Sequence, residues 1–148
     1  MIKSFADSET EKIWKGNKSP KFPPEIHKRA FAKLLIINSA EKEEDLRIPP
    51  GNRFELPTVG EILLEEFLEP LNITPYRLSK DLGVSSSSIL DLVHGKRKIT
   101  VEMALRLSKY FGTTSKFWLN MQNELDLREA ELKLVNDLEK IPNCKQIA

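Results

Sequence analysis

Apolar positions recur at helical intervals along most of the chain. Pro24 suits a first helical turn, where a missing N–H costs nothing. Beyond it Ile26, Ala30, Leu34 and Ile37 share one face, which Phe31 and Leu35 widen. Before it, Ser8 and Glu11 have the spacing of a capping box, which predicts a short helix through Ile13 and Trp14 that stops at Gly16. Met1 to Phe5 alternates weakly, as a short strand would. The charged run at 41–45 reads as a solvated helix end, and Pro49-Pro50-Gly51-Asn52 as a turn.

From Pro57 onward the pattern predicts five helices with short connections. Thr58 and Glu61 make a capping box for the first, with Val59, Ile62, Leu63 and Phe67 inward and Pro70 as its stop. Thr74-Pro75 opens the second and Gly83 closes it. Ser85 caps a third that closes at Gly95. Thr100 caps a fourth, with Met103, Leu107 and Phe111 on one face and Gly112 at its end. Ser115 caps a fifth that extends toward Ile141. Phe117, Trp118 and Met121 on this last helix read as core.

Composition narrows the class more than the function. The chain has 148 residues, 40% hydrophobic and 30% charged, with a formal net charge of +1. A nucleic-acid surface must therefore be a local patch. One exists: residues 72–112 carry Arg77, Lys80, Lys96, Arg97, Lys98, Arg106 and Lys109 against Asp81, Asp91 and Glu102. Residues 57–71 carry only acids, Glu61, Glu65, Glu66 and Glu69, read as a solvated helix face. The single Cys144 forms no internal disulfide, in keeping with a reducing compartment. The opening segment has neither an apolar run nor a small-residue cleavage site, so no secretory leader is expected. The longest apolar run, Leu34 to Ile37, is far too short to span a bilayer, and a cytoplasmic location with no membrane partner is expected. His27 and His94 are isolated and read as surface histidines, so neither a metal nor a cofactor is expected.

The informative stretch is Thr74 to Gly95, TPYRLSKDLGVSSSSILDLVHG. Two short helices that cross steeply need a small residue at the crossing, and Ser79 supplies it. The tight turn wants glycine four residues later, and Gly83 is there. Leu78, Leu82, Val84, Ile89 and Leu92 fall where the two helices share a core. This segment resembles the helix-turn-helix of phage-repressor and Cro-like regulators. With GEILLEEFLEPL before it and GKRKIT, EMALRLSKYFGT and FWLNMQNELDL after it, residues 57–128 resemble HigA-type antitoxins. The resemblance implies a homodimer that binds double-stranded operator DNA, represses its own operon and captures a HigB-type toxin.

By that resemblance the helix after Ser85 enters the major groove. Ser86, Ser87 and Asp91 would face base edges, while Lys96, Arg97 and Lys98 would meet phosphates. Thr74 and the amides beside it, with Arg77 one turn on, would hold another phosphate at a helix N-terminus. Pro75 stands where many relatives have Gln, which removes one phosphate contact. The reading face also offers serines rather than Arg, Gln or Asn, so direct readout is shallow.

Residues 1–56 resemble a different family. IKSFADSETEKIWKG, FPPEIHKRAFAKLLIINSA and DLRIPPGNRFEL are similar to the start of HigB-type toxins, ribosome-dependent mRNA nucleases of the RelE fold. In that family most of the sheet and the catalytic residues follow the PPGN segment, whereas here Glu55-Leu56 runs straight into the antitoxin-like part. The expected architecture is mainly α: a truncated α-rich toxin fragment over 1–56, then a five-helix helix-turn-helix bundle over 57–148. The fragment's helices either pack on the bundle or stay mobile.

Three functions remain open on the sequence: a dimeric repressor with no enzymatic activity, a nuclease with residual or reassembled activity, and a toxin-capturing module without DNA binding. Lys12, Lys15, Lys28 and Arg29 offer either an RNA surface or a solvated helix face. Leu125, Leu132 and Val135 are candidates for either the dimer contact or the core. Titration with operator DNA separates the first function from the third. A translation-dependent cleavage assay separates the second from both.

Overall fold

A computed structural model describes residues 2–39 and 55–144. The charged run at 41–45 and the turn at 49–52 lie outside these residues. The described part is helical: α1 (Ser8–Trp14), α2 (Pro24–Ser39), α3 (Val59–Leu63), α4 (Pro75–Leu82), α5 (Ser86–Val93), α6 (Val101–Phe111) and α7 (Ser115–Leu138). A π-helical turn, Leu64–Leu68, extends α3. Residues 2–5 do not form the expected strand, and among the described residues no strand offers them a ladder.

Caps set most boundaries as the sequence implies. Thr58 accepts from the Glu61 N–H while the Glu61 side chain accepts from the Thr58 N–H, closing a capping box. Thr74, Ser85 and Thr100 accept from the amides of Arg77, Ser88 and Met103. Gly83 and Gly112 end α4 and α6 in the left-handed region. Two caps differ. Asp7 rather than Ser8 caps α1, because its carboxylate reaches the Thr10 amide. Thr114 rather than Ser115 caps α7, which ends at Leu138 short of Ile141.

The core of the bundle gathers Ile62, Leu63, Leu78, Ile89, Leu107 and Trp118, all essentially buried. Phe67 adds aromatic contacts to Phe111 at 5.3 Å and Trp118 at 4.9 Å. Leu125 is also part of this core rather than free for a partner, whereas Leu132 and Val135 are exposed.

A second layer is formed by α1 and α2, which pack on α7 and α3. The predicted apolar face of α2 is buried at Phe31 and Leu35 and half-buried at Ala30 and Leu34, but its edges Ile26 and Ile37 are exposed, while His27 and Asn38 are buried instead. The partner helices thus centre the buried face on the Phe31–Leu35 side of the predicted one. His27 is accordingly buried rather than at the surface, with its Nε2 3.1 Å from both the N and the O of Ser19. The acids of α3 are not a uniformly solvated face either. Lys28 of α2 pairs with Glu61 at 2.9 Å and Lys33 with Glu66 at 3.5 Å, while Glu65 and Glu69 stay exposed.

Burial pushes the Glu61 carboxyl up, but hydrogen bonds from Lys28 and the Thr58 backbone outweigh it and hold it below the ordinary glutamate value. A depressed folded value means stability that is full above the unfolded pKa and is lost as pH falls through the folded one. Glu61→Ala should therefore lower stability by about 1 kcal/mol at neutral pH, the usual cost of losing a cap contact. The deficit should shrink on acidification, as denaturant titrations at pH 7 and pH 3 would show. An equal deficit at both would mean that the carboxylate's charge is irrelevant to it.

Candidate nucleic-acid interface

The candidate interface is assembled from α4, α5 and the loop that follows. Ser79 is buried at the α4–α5 crossing, where its hydroxyl donates to the Tyr76 carbonyl at 2.6 Å. Leu78, Leu82, Ile89 and Leu92 are buried around it, with Val84 half-buried, as the spacing implies. Gly83 has φ +66, a conformation that a side chain would strain.

An equally sharp constraint lies at Gly60, which the sequence reading did not single out. A Cβ there would sit 1.6 Å from the Leu92 carbonyl oxygen, so α3 and α5 touch backbone to backbone. Glycine-specific contact of this kind has no local signature in a helix otherwise read by its caps and periodicity.

The predicted contact residues fall into distinct groups. Ser85, Ser86 and Ser87 are exposed at the start of α5. Ser85 is occupied as the cap, and its hydroxyl lies 3.1 Å from that of Ser87 and 2.7 Å from that of Ser88. Ser86 makes no side-chain hydrogen bond among the described residues, which leaves its hydroxyl available. Asp91 is half-buried, and its carbonyl accepts from the amides of Lys96 and Arg97, folding the loop back on the end of α5.

The basic residues differ in freedom. Lys96 and Arg97 are exposed and form no ion pair among the described residues. Lys98 turns toward α7 and pairs with Asp126 at 2.8 Å. Arg77 donates from Nε to both oxygens of Asp81, at 3.0 and 2.9 Å, and Asp81 also accepts from the Tyr110 hydroxyl. The hydrogen bond from Arg77, then that from Tyr110, holds the Asp81 carboxyl below its ordinary value. Thr74 is exposed at the first turn of α4, with Tyr76 and Lys80 beside it in a cation–π contact of 5.3 Å. Thr74, Ser86, Ser87, Lys96 and Arg97 are exposed, and Arg77 and Lys98 are exposed too but are held in ion pairs with Asp81 and Asp126.

Residues 64–119 match the helix-turn-helix family model. Over 84 residues the chain is 45% identical to virulence-associated protein I of Dichelobacter nodosus, covering 55% of this chain and 78% of that protein. It superposes with a TM-score of 0.57 on the structure of Pseudomonas aeruginosa antitoxin HigA with the higBA promoter, at 36% identity over 59% of this chain and 96% of that one. The chain belongs to the HigA-type helix-turn-helix family. Ahead of its HigA-type bundle, residues 3–61 match the model for the RelE-like toxin of the type II toxin-antitoxin system HigB. There the chain is 43% identical over 56 residues to toxin HigB-1 of Vibrio cholerae, covering 37% of this chain and 59% of the toxin. A HigB-type fragment is therefore fused ahead of a HigA-type bundle, and its helices pack on that bundle. Among the described residues no helix is long and apolar enough to cross a membrane.

Proposed function

We propose that this chain is a cytoplasmic, homodimeric repressor that binds double-stranded operator DNA through α5 and carries a catalytically silent toxin remnant. The observation that carries this reading is the exposed start of α5 at Ser86 and Ser87, with Lys96 and Arg97 exposed past its other end and without ion pairs among the described residues, on a scaffold similar to HigA with its promoter. In this reading Ser86, Ser87 and Asp91 meet base edges, while Thr74, Ser85, Lys96 and Arg97 meet phosphates. Arg77 and Lys98 contribute positive potential while holding α4 and the loop in place. Residues 1–56 and 57–148 act as the two functional units. The dimer contact draws on exposed apolar side chains of α7, Leu132 and Val135.

The absence of catalysis is supported by the fragment itself. His27 is buried against the Ser19 backbone, and Lys12, Lys15 and Lys28 are paired with Glu9, Glu11 and Glu61. General acid–base cleavage of RNA needs titratable groups that reach the substrate. Purified protein should leave mRNA intact with and without translating ribosomes. Ribosome-dependent cleavage would replace this reading with the nuclease.

Arg97→Ala tests the DNA reading. Removing one phosphate contact should weaken binding to the DNA upstream of its own coding sequence and to unrelated DNA alike. The slope of log K against log salt should fall by about 0.9. A loss confined to the upstream DNA would make Arg97 a base reader, and no DNA binding by the parent chain would favour the toxin-capturing module.

A further inference from the structure

The contact between α1–α2 and the bundle has the anatomy of an interface between two proteins. At its centre Arg128 of α7 is almost fully buried, with its guanidinium 4.5 Å from the Trp14 ring centroid and 5.1 Å from that of Phe31. Its Nη1 donates to the Trp14 carbonyl at 2.9 Å and its Nε to Glu124 at 2.7 Å. Charged pairs flank this anchor, with Lys28 and Lys33 on one side and Glu61 and Glu66 on the other. Asn120 closes the far end by donating to the Ser39 carbonyl at 3.0 Å. An aromatic–arginine centre with complementary charges around it is how separate proteins recognise one another.

Arg128 is the decisive residue. Burying a guanidinium is costly unless aromatic faces and acceptors replace its water. The α3–α7 bundle supplies the Glu124 acceptor, and the aromatic faces and the Trp14 carbonyl come from the HigB-like segment. A bundle without that segment would hold Arg128 beside an acidic, amide-bearing surface open to solvent.

We propose that the face formed by Glu61, Glu66, Asn120, Glu124 and Arg128 is a docking surface for a HigB-type helical pair, which residues 2–39 fill in cis, closing it to a toxin in trans. This rests on the reading of the chain as an antitoxin joined to a toxin remnant. Tethering gives the resident segment an effective concentration in the millimolar range, about a thousandfold above a micromolar competitor. A separate toxin would therefore need far tighter contacts to displace it.

The test is a full-length chain with a protease recognition sequence placed within residues 41–54. After cleavage the two parts should co-elute at micromolar concentration. Arg128→Ala, and separately Lys28→Glu with Lys33→Glu, should weaken their association at least tenfold. A fluorescent peptide of residues 2–39 should exchange into the cleaved protein and be excluded from the uncleaved chain. Separation of the cleaved parent, or equal peptide uptake before and after cleavage, would overturn the proposal. Binding to the upstream DNA is measured on the same samples, so loss of DNA binding with docking intact would count against the repressor reading alone.

Discussion

Gly60→Ala should destabilise the whole bundle and abolish DNA binding with it. The added methyl would overlap the Leu92 carbonyl, a backbone atom that no rotamer change can move. Overpacking a core by side-chain atoms typically costs about 1–3 kcal/mol. A clash with backbone belongs at or above the top of that range, about 3 kcal/mol. For a chain of this size that corresponds to a fall in Tm of roughly 6–12 °C. Separation of α3 from α5 would also release α5 and the loop folded onto its end from the bundle that positions them. The comparison variant is Gly112→Ala, where nothing lies within 4 Å of the added carbon and only the strain of φ +69 remains, about 1–2 kcal/mol. Circular-dichroism melting of both variants decides the matter. A Gly60→Ala protein as stable as its parent would mean that α3 and α5 do not meet as described.

Arg128→Ala should be the most damaging truncation in the second layer. It removes the filling between Trp14 and Phe31, frees the Trp14 carbonyl and leaves Glu124 without its partner. Burial lowers the Arg128 pKa, while Glu124 works in the opposite direction, so the guanidinium depends on that carboxylate and the two rings. Breaking a buried ion pair by removing one partner costs about 3–5 kcal/mol. The lower end applies here, because the Glu124 side chain is 22% exposed and can recover water. Arg128→Met should cost less, since a flexible apolar chain still fills the space between the rings. Arg128 Nη2 has no hydrogen-bond partner among the described residues, so part of the desolvation cost is uncompensated in the parent. Denaturant midpoints of the two variants give the comparison. An alanine variant within 0.5 kcal/mol of the parent, a threshold typical of neutral surface changes, would show that Arg128 does not hold α1 and α2 to α7.

What the sequence determined by itself was local. Capping at Thr58, Thr74, Ser85 and Thr100 and the glycine stops at Gly83 and Gly112 depend on atoms within one turn, so the starts of α3 to α6 and the ends of α4 and α6 were legible. The small residue at position 79 and the apolar positions around it identified the helix-turn-helix, because that motif lies within about twenty consecutive residues. The order of the HigB-like and HigA-like segments was legible for the same reason. What only the tertiary structure decided depended on partners far along the chain. The apolar face of α2 was legible, but which part of it is central was decided by α1 and α7, which bury Phe31 and Leu35 and leave its edges Ile26 and Ile37 exposed. Glu61 looked solvated until Lys28 met it from 33 positions away. Gly60 looked like any helix residue until the Leu92 carbonyl was placed against it. Arg128 finds the Trp14 carbonyl across 114 positions, and no periodicity encodes that distance. Local hydrogen bonding fixes where helices begin and end, but burial of a charged or ambiguous face is settled by whichever surface can replace its water.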